Sequence, residues 1–355
     1  MPLVSDPNYA DVFVCFDVHN LVGRCENGPS GTMTNRCGYP TNAIDIGLAK
    51  VRLAAEFAGL SHNLRVCLVF SAGENRSVRG SVYPQYKATR PVKERQTFVI
   101  AGTRDVRLDD GQLYTFDYER DDVRRLYERD LIAAGEVHNC VQREYDGVRD
   151  FMEVVATLPC LILHMPDDDG ETDDALATFT HLARPRPCVV VSEDRDLWAL
   201  MSSRVTVISK PEKAYGIPDL QARFGIAEPG KLPLAKALYG DDTDNIVKAV
   251  ANVTDNSVGD LLRRCAPVDG ERWFTPAFMR EVAASVDSAS GRQAQTLRNL
   301  LAAERDVLFL EKLARLRRVR LSYTLGVRDE AAFDAHLQWY GVQQKREKLL
   351  VFARS

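Results

Sequence analysis

Through the first two-thirds of the chain, short apolar runs alternate with longer stretches of helical periodicity. "DVFVCFD" (Asp11–Asp17), Arg65–Phe70, "CLILH" (Cys160–His164), "CVVVSED" (Cys188–Asp194) and "RVTVIS" (Arg204–Ser209) are of the first kind. The first of them is apolar at consecutive positions, as a strand buried on both faces is. Asn42–Gly59 is of the second kind, with Ile44, Leu48, Val51, Ala55 and Ala58 at helical spacing and Gly59 as the stop. Further helices fit Asp121–Ala134, Arg143–Leu158, Asp173–Ala183 and Asp196–Ser202. Strands alternating with helices predict an α/β fold, a parallel sheet covered on both faces.

Two regions depart from this rhythm. Pro91–Tyr118 is charged, lacks clear periodicity and reads as an insertion after the second strand. Beyond Lys213 the pattern turns helical: Ile217–Gly225, Leu232–Gly240, Asp260–Cys265, Thr275–Val286, Ala294–Arg320 and Glu330–Tyr340. The expected organisation is an α/β core over residues 1–210 and a helical region over 211–355, packed together.

The composition is that of a soluble globular chain, and no apolar run approaches the roughly 18 residues of a membrane helix. The N-terminus lacks a basic region followed by an apolar one, which predicts an intracellular protein. Eight cysteines without a C-x-x-C pair and six scattered histidines argue against zinc.

The acids are distributed unusually. Six carboxylates fall within the eight residues Asp167–Asp174, where the third strand hands over to a helix. Carboxylates so close repel one another unless protons or cations intervene. Alone, the run reads as a solvated turn, and Asp167–Asp169 fit that reading. In open parallel sheets, however, sites form beyond the carboxyl ends of the strands. Strand one ends in Asp17, strand three leads to Glu171, Asp173 and Asp174, and strand four leads to Asp194 and Asp196. "GDDTDNI" (Gly240–Ile246) adds Asp241 and Asp244. Acids from separate segments at one sheet edge predict a pocket for Mg²⁺, a hard cation that prefers oxygen ligands. Two such ions about 3.5–4 Å apart suit the hydrolysis of phosphodiesters.

The charge balance agrees. Net charge is −4, and setting aside the eight candidate ligands turns it to +4. Basic residues cluster at Arg76, Arg79, Lys87, Arg90, Lys93 and Arg95, and again at Lys312, Arg315, Arg317, Arg318 and Arg320. Such clusters suit phosphate backbones. The second also reads as the solvated face of an amphipathic helix.

Taken in order, "FDVHNL", "VYPQYKATR", "ETDD", "SEDRD" and "GDDTDNI" resemble the motifs of the 5′-nuclease superfamily, which includes flap endonucleases and bacteriophage 5′→3′ exonucleases such as the ribonuclease H of T-even phages. The resemblance covers roughly residues 11–250. It implies a PIN-like parallel sheet, a helical arch over about residues 76–121, and a helix–hairpin–helix-type duplex-binding part. By position it implies a first metal site at Asp17, Glu171, Asp173 and Asp194. Asp196, Asp241 and Asp244, helped by Asp173, would hold a second ion, with Asp174 beside them. Lys87, Arg90 and Arg79 would neutralise the scissile phosphate. Tyr86 would stack on a terminal base or pack under the arch, and Lys93, Lys248, Arg263 and Arg264 would grip the backbone. The implied activity is a Mg²⁺-dependent (Mn²⁺ substituting) 5′→3′ exonuclease or flap endonuclease. It would act as a monomer on DNA flaps, nicks, ends and RNA/DNA hybrids beside single-stranded-DNA-binding or other replication proteins, in the cytoplasm, the host's if phage-encoded.

Two departures from the pattern stand out. Ser71 occupies the position after strand two where the family usually carries an acid, with Glu74 the nearest substitute. The segment Val247–Asp260 lacks the G-x-G that binds a monovalent cation in many members, which argues against K⁺.

Overall fold

The computed structural model describes residues 11–28, 31–62, 66–72, 78–89, 95–107, 111–123, 137–165, 170–210, 213–266 and 273–346. Strands β1 (Val12–Asp17), β2 (Val66–Ser71), β6 (Leu161–His164), β7 (Cys188–Val191) and β8 (Val205–Lys210) run parallel. Two antiparallel edge strands, β9 (Lys213–Tyr215) and β10 (Ser322–Leu325), complete a seven-stranded sheet of order β10-β6-β2-β1-β7-β8-β9. The mixed α/β architecture expected from the sequence is therefore present.

Every residue of β1 is buried because the sheet is covered on both faces. Phe13 and Cys15 face one apolar layer with Leu176, Phe179 and Trp198. Val12, Val14 and Phe16 face the other, with Leu48, Val51 and Phe151. The chain leaves β1 toward β2 on one side, whereas β7 leads to β8 on the other. Such a reversal opens a crevice at the carboxyl ends of β1 and β7.

Three expectations need correction. In place of a helical arch, the described residues form a three-stranded antiparallel sheet of β3 (Thr97–Arg107), β4 (Leu113–Asp117) and β5 (Val137–Glu144), in the order β4-β3-β5. Val106, Phe116 and Tyr118 cluster on one face of it, an alternation that the interspersed charges concealed. The helix expected from Arg143 begins at Gly147, because β5 holds residues through Glu144 and Asp146 then caps Val148 and Arg149. The long helix expected over Ala294–Arg320 is two helices, Gly291–Ala302 and Glu304–Ala314, followed by extended chain from Arg315 into β10. The helix expected over Asp121–Ala134 lies mostly outside the described residues, as do Glu74 and Asp167–Asp169.

Elsewhere the helices follow the pattern. Asn42–His62, Thr172–Leu182, Ile217–Phe224, Leu232–Tyr239, Phe274–Val286 and Glu330–Tyr340 form where periodicity placed them. The helix expected over Asp196–Ser202 is present as a 3₁₀ helix over Arg195–Leu200. Gly225, at φ 69°, ends its helix in the left-handed conformation that costs glycine least. No helix among the described residues is long and apolar enough to cross a membrane.

Candidate metal centre

The crevice is a cleft of about 1990 Å³ whose walls include Asp17, Asp173, Asp194, Asp196, Asp241 and Asp244. Asp17, Asp173, Asp194 and Asp196 are each placed by the start of an element. Asp17 ends β1 and caps the next helix, accepting from Asn20 N–H at 3.0 Å. Asp194 caps the 3₁₀ turn through Asp196 N–H at 2.9 Å. Asp173 sits in the first turn of Thr172–Leu182, where the helix dipole favours negative charge. Asp241 and Asp244 lie on a tight loop closed by two Asp241–Ile246 backbone hydrogen bonds of 2.8 Å.

Two groups of three carboxylates result, each with oxygens within 4.8 Å of one another. Asp173, Asp194 and Asp196 form one, Asp196, Asp241 and Asp244 the other, and Asp196 belongs to both. The donors are all carboxylate oxygens, with no histidine or cysteine, the set that a hard divalent cation takes. Asp17 borders the first group, held by a 3.1 Å hydrogen bond from Ser192 Oγ. Burial foremost raises the pKa of Asp17, with Asp194 adding to it. Burial, then the charges of Asp194 and Asp17, raise Asp173 well above the ordinary aspartate value. Asp244 is raised as well, by burial against the opposing pull of Lys87 and Lys236.

Two expected ligands stand apart. Asp174, fully buried, spends both oxygens on Arg79 (2.7 and 3.0 Å) and accepts Arg317 N–H at 2.7 Å. Its neighbours in sequence made it look like a ligand, but its contacts make it a structural anion. Glu171 Oε2 receives Arg79 at 2.8 Å, Lys87 at 2.9 Å and the Tyr86 hydroxyl at 3.1 Å. Burial works against its charge, yet Lys87 and Arg79 prevail and hold its pKa below the usual value.

Arg79 also changes role. Besides its carboxylate bonds it donates to the carbonyls of Leu313 and Arg315 at 2.8 and 2.9 Å, so all five of its N–H groups are engaged. It staples the acids to the extended segment after Ala314 and has nothing left for a phosphate. That segment carries Arg315, Arg317 and Arg318, with Arg318 donating to the Ala177 carbonyl, so these basic residues do not form a helix face. Tyr86 is 6 % exposed, with Lys87 Nζ 4.8 Å from its ring centroid, so it packs rather than offering a face for a base.

Lys87 keeps an opening to the cleft. It adopts φ 54°, and its backbone N–H donates to Asp244 O at 3.0 Å, which docks this turn on the Asp241–Ile246 loop. Lys248 lines the same cleft and is exposed. Arg263 pairs with Asp255, and Arg264 with Asp260 and Glu281. Arg90 and Lys93 lie outside the described residues.

Sequence reading missed Lys236, Ser192 and Asn20. Lys236, on the helix Leu232–Tyr239, is buried with its ammonium between Asp196 and Asp241, 2.5 Å from the latter. Burial opposes ionisation of Asp241, but Lys236 outweighs it and lowers that pKa. A lysine within an apolar helix, five residues before an acid, was the available signal. Ser192 and Asn20 tie β7 to β1: Ser192 Oγ accepts Asp194 N–H at 3.0 Å, and Asn20 Oδ1 accepts Glu193 N–H at 3.1 Å.

No protein-family model matches the chain, and no curated relative is found for it. Among solved structures, the chain is similar to the D15 protein of bacteriophage T5 co-crystallised with metal ions, at 16 % identity and TM-score 0.45, covering 97 % of each chain. It is also similar to the bacteriophage T5 flap endonuclease in a pseudo-enzyme–product complex with DNA and metal ions. There the identity is 16 % and the TM-score 0.43, over 97 % of this chain and 100 % of that one. T5 5′-exonuclease with bound zinc gives 15 %, 0.44 and 97 % of each.

Proposed function

We propose that this protein is a divalent-metal-dependent nuclease of the 5′-nuclease type, hydrolysing phosphodiesters at junctions of duplex and single strand. The observation that carries the reading is the pair of three-carboxylate groups sharing Asp196 at the carboxyl edge of a parallel sheet. Asp173, Asp194 and Asp196, bordered by Asp17, would hold one Mg²⁺ or Mn²⁺, and Asp196, Asp241 and Asp244 a second. The ions would supply charge neutralisation at the reacting phosphate and a more acidic water.

The chain's own residues do the rest. Lys87, in reach of Glu171 and Asp244, positions the scissile phosphate and offsets its developing charge. Lys248 guides the backbone without reading bases. The activity is read as 5′→3′ exonuclease or flap endonuclease, extending to RNA in RNA/DNA hybrids. Ser71, a neutral residue beside Asp17 in the sheet, favours a second reading in which junctions are bound but barely cut.

Cleavage of a 5′-labelled flap duplex in Mg²⁺ and in Mn²⁺, with Asp173→Ala alongside, tests both. Cutting near the junction, abolished in the variant, supports the nuclease. Tight binding without cutting in either metal supports the second reading.

A further inference from the structure

Ser71 ends β2, directly paired with Asp17 at the end of β1. Strand side chains alternate between faces. Phe13 and Cys15 on β1 and Cys67 and Val69 on β2 all face the apolar layer beneath the cleft. Asp17 and Ser71 therefore point to that same side, one strand apart, at the rim where Asp173 and Asp194 gather. Ser71 is 1 % exposed, and among the described residues its hydroxyl has no hydrogen-bond partner. On the opposite flank of Asp17, Ser192 does have one: it donates to the Asp17 carboxylate. A buried hydroxyl without a partner is costly to keep, so its partner is expected to arrive with a ligand.

We infer that the Ser71 hydroxyl hydrogen-bonds to a water in the shell of the divalent cation held near Asp17, Asp173 and Asp194, making it a positioning residue for that ion. This rests on the metal-binding reading above. The side chain is too short to replace a carboxylate, and Mg²⁺ keeps several of its waters. Those waters have protons to donate, and a hydroxyl both accepts and donates, whereas ionised carboxylates only accept.

The test needs no nucleic acid and no turnover. Mn²⁺ affinity by calorimetry, and thermal unfolding with and without Mn²⁺, would be measured for the wild type, Ser71→Ala, Ser71→Asp and Asp194→Asn. The wild type is expected to be stabilised by Mn²⁺, and Asp194→Asn to lose most of that stabilisation. Ser71→Ala should keep the metal-free Tm or raise it slightly while binding Mn²⁺ about 10-fold more weakly, the usual cost of removing an outer partner. Ser71→Asp should lower the metal-free Tm and tighten Mn²⁺, through an added buried negative charge. Wild-type Mn²⁺ affinity in Ser71→Ala would overturn the inference and leave the metal reading intact. A clearly lower metal-free Tm in Ser71→Ala would also overturn it, by showing a partner within the protein. No Mn²⁺ effect on the wild type would sink both together.

Discussion

Asp173 and Asp174 are consecutive, both buried, and have opposite fates. Asp174 turns back into the protein, where Arg79 and the Arg317 N–H saturate it. Asp173 turns toward Asp17 and Asp194, and among the described residues no ion pair reaches it. The same contrast divides the whole edge. Around Arg79 the acids are neutralised from within, and Lys236 does the same for Asp196 and Asp241. At Asp17, Asp173 and Asp194 charge is concentrated, and among the described residues no ion pair offsets it. Neutralised acids hold the fold together. The others repel one another, a repulsion that protons or a bound cation would relieve.

The contrast breaks most visibly at Arg79. Removing one member of a buried ion pair strands the other, at a cost of about 3–5 kcal/mol. Arg79→Ala should destabilise the protein by that amount in denaturant unfolding. The double variant Arg79→Met/Asp174→Leu should recover part of the loss, because Asp174 is no longer stranded and Glu171 keeps Lys87. A cost below about 1 kcal/mol for Arg79→Ala would mean that the staple does not hold the extended segment to the sheet.

On the other side of the contrast, Asp173→Asn should leave metal-free stability unchanged or improved, since it removes a repelled charge. It should nevertheless reduce flap cleavage by more than about 100-fold, because even outer partners of an ion cost roughly 10–100-fold. Denaturant unfolding and single-turnover cleavage on the same preparation separate the two effects. Large destabilisation by Asp173→Asn would place it with Asp174.

Lys236 sharpens the comparison, because its loss should turn the second acid group into a likeness of the first. Lys236→Met is expected to cost about 1–3 kcal/mol in the absence of metal, as Asp196 and Asp241 lose a hydrogen-bonded cation. In exchange, Mn²⁺ should bind more tightly at Asp196, Asp241 and Asp244, where the ammonium no longer competes. Calorimetric titration of the variant against the wild type reads this directly. Weaker Mn²⁺ binding would instead make Lys236 a support for the site.

These distinctions show what the sequence could and could not carry. Parallel strands and the acids at their ends were legible because burial on both faces imposes consecutive apolar runs, and the site follows from the sheet edge. Which way each acid turns was not. Asp173 and Asp174 share a composition, a helix turn and a dipole, and they are separated by partners from 95 to 143 residues away, Arg79 and Arg317. The break after Ala314 was hidden for the same reason. Locally the segment favours helix, but Asp174, Arg79 and β6 draw its backbone into extended form. The antiparallel sheet escaped because β3 and β4 each bury a single residue, Val106 and Phe116, so no clear period shows and the stretch reads as charged loop.

The smallest effect is a pH slope, and its sign follows from the same division. Asp17, Asp173 and Asp244 have folded pKa values raised above the unfolded aspartate value of about 3.9. Their contribution to stability is fully present below that value and is lost as pH rises through the folded values. Glu171 and Asp241 are lowered, so their contribution is present above the unfolded values and is lost as pH falls through the folded ones. Metal-free protein should therefore lose stability from these groups on both sides of a maximum near about pH 4–5. Other titrating groups overlie that curve, so the cleaner quantity is the stability of Asp173→Asn minus that of the wild type. It should grow with pH above about 4, by no more than about 1.4 kcal/mol per unit for one proton, and level off once Asp173 is ionised. Saturating Mg²⁺ should shrink it, because a cation favours the charged form that the variant lacks. A metal-free difference that stays flat from pH 4 to 8 would show that Asp173 is already neutralised within the protein, and the division between the two kinds of acid would fail at its centre.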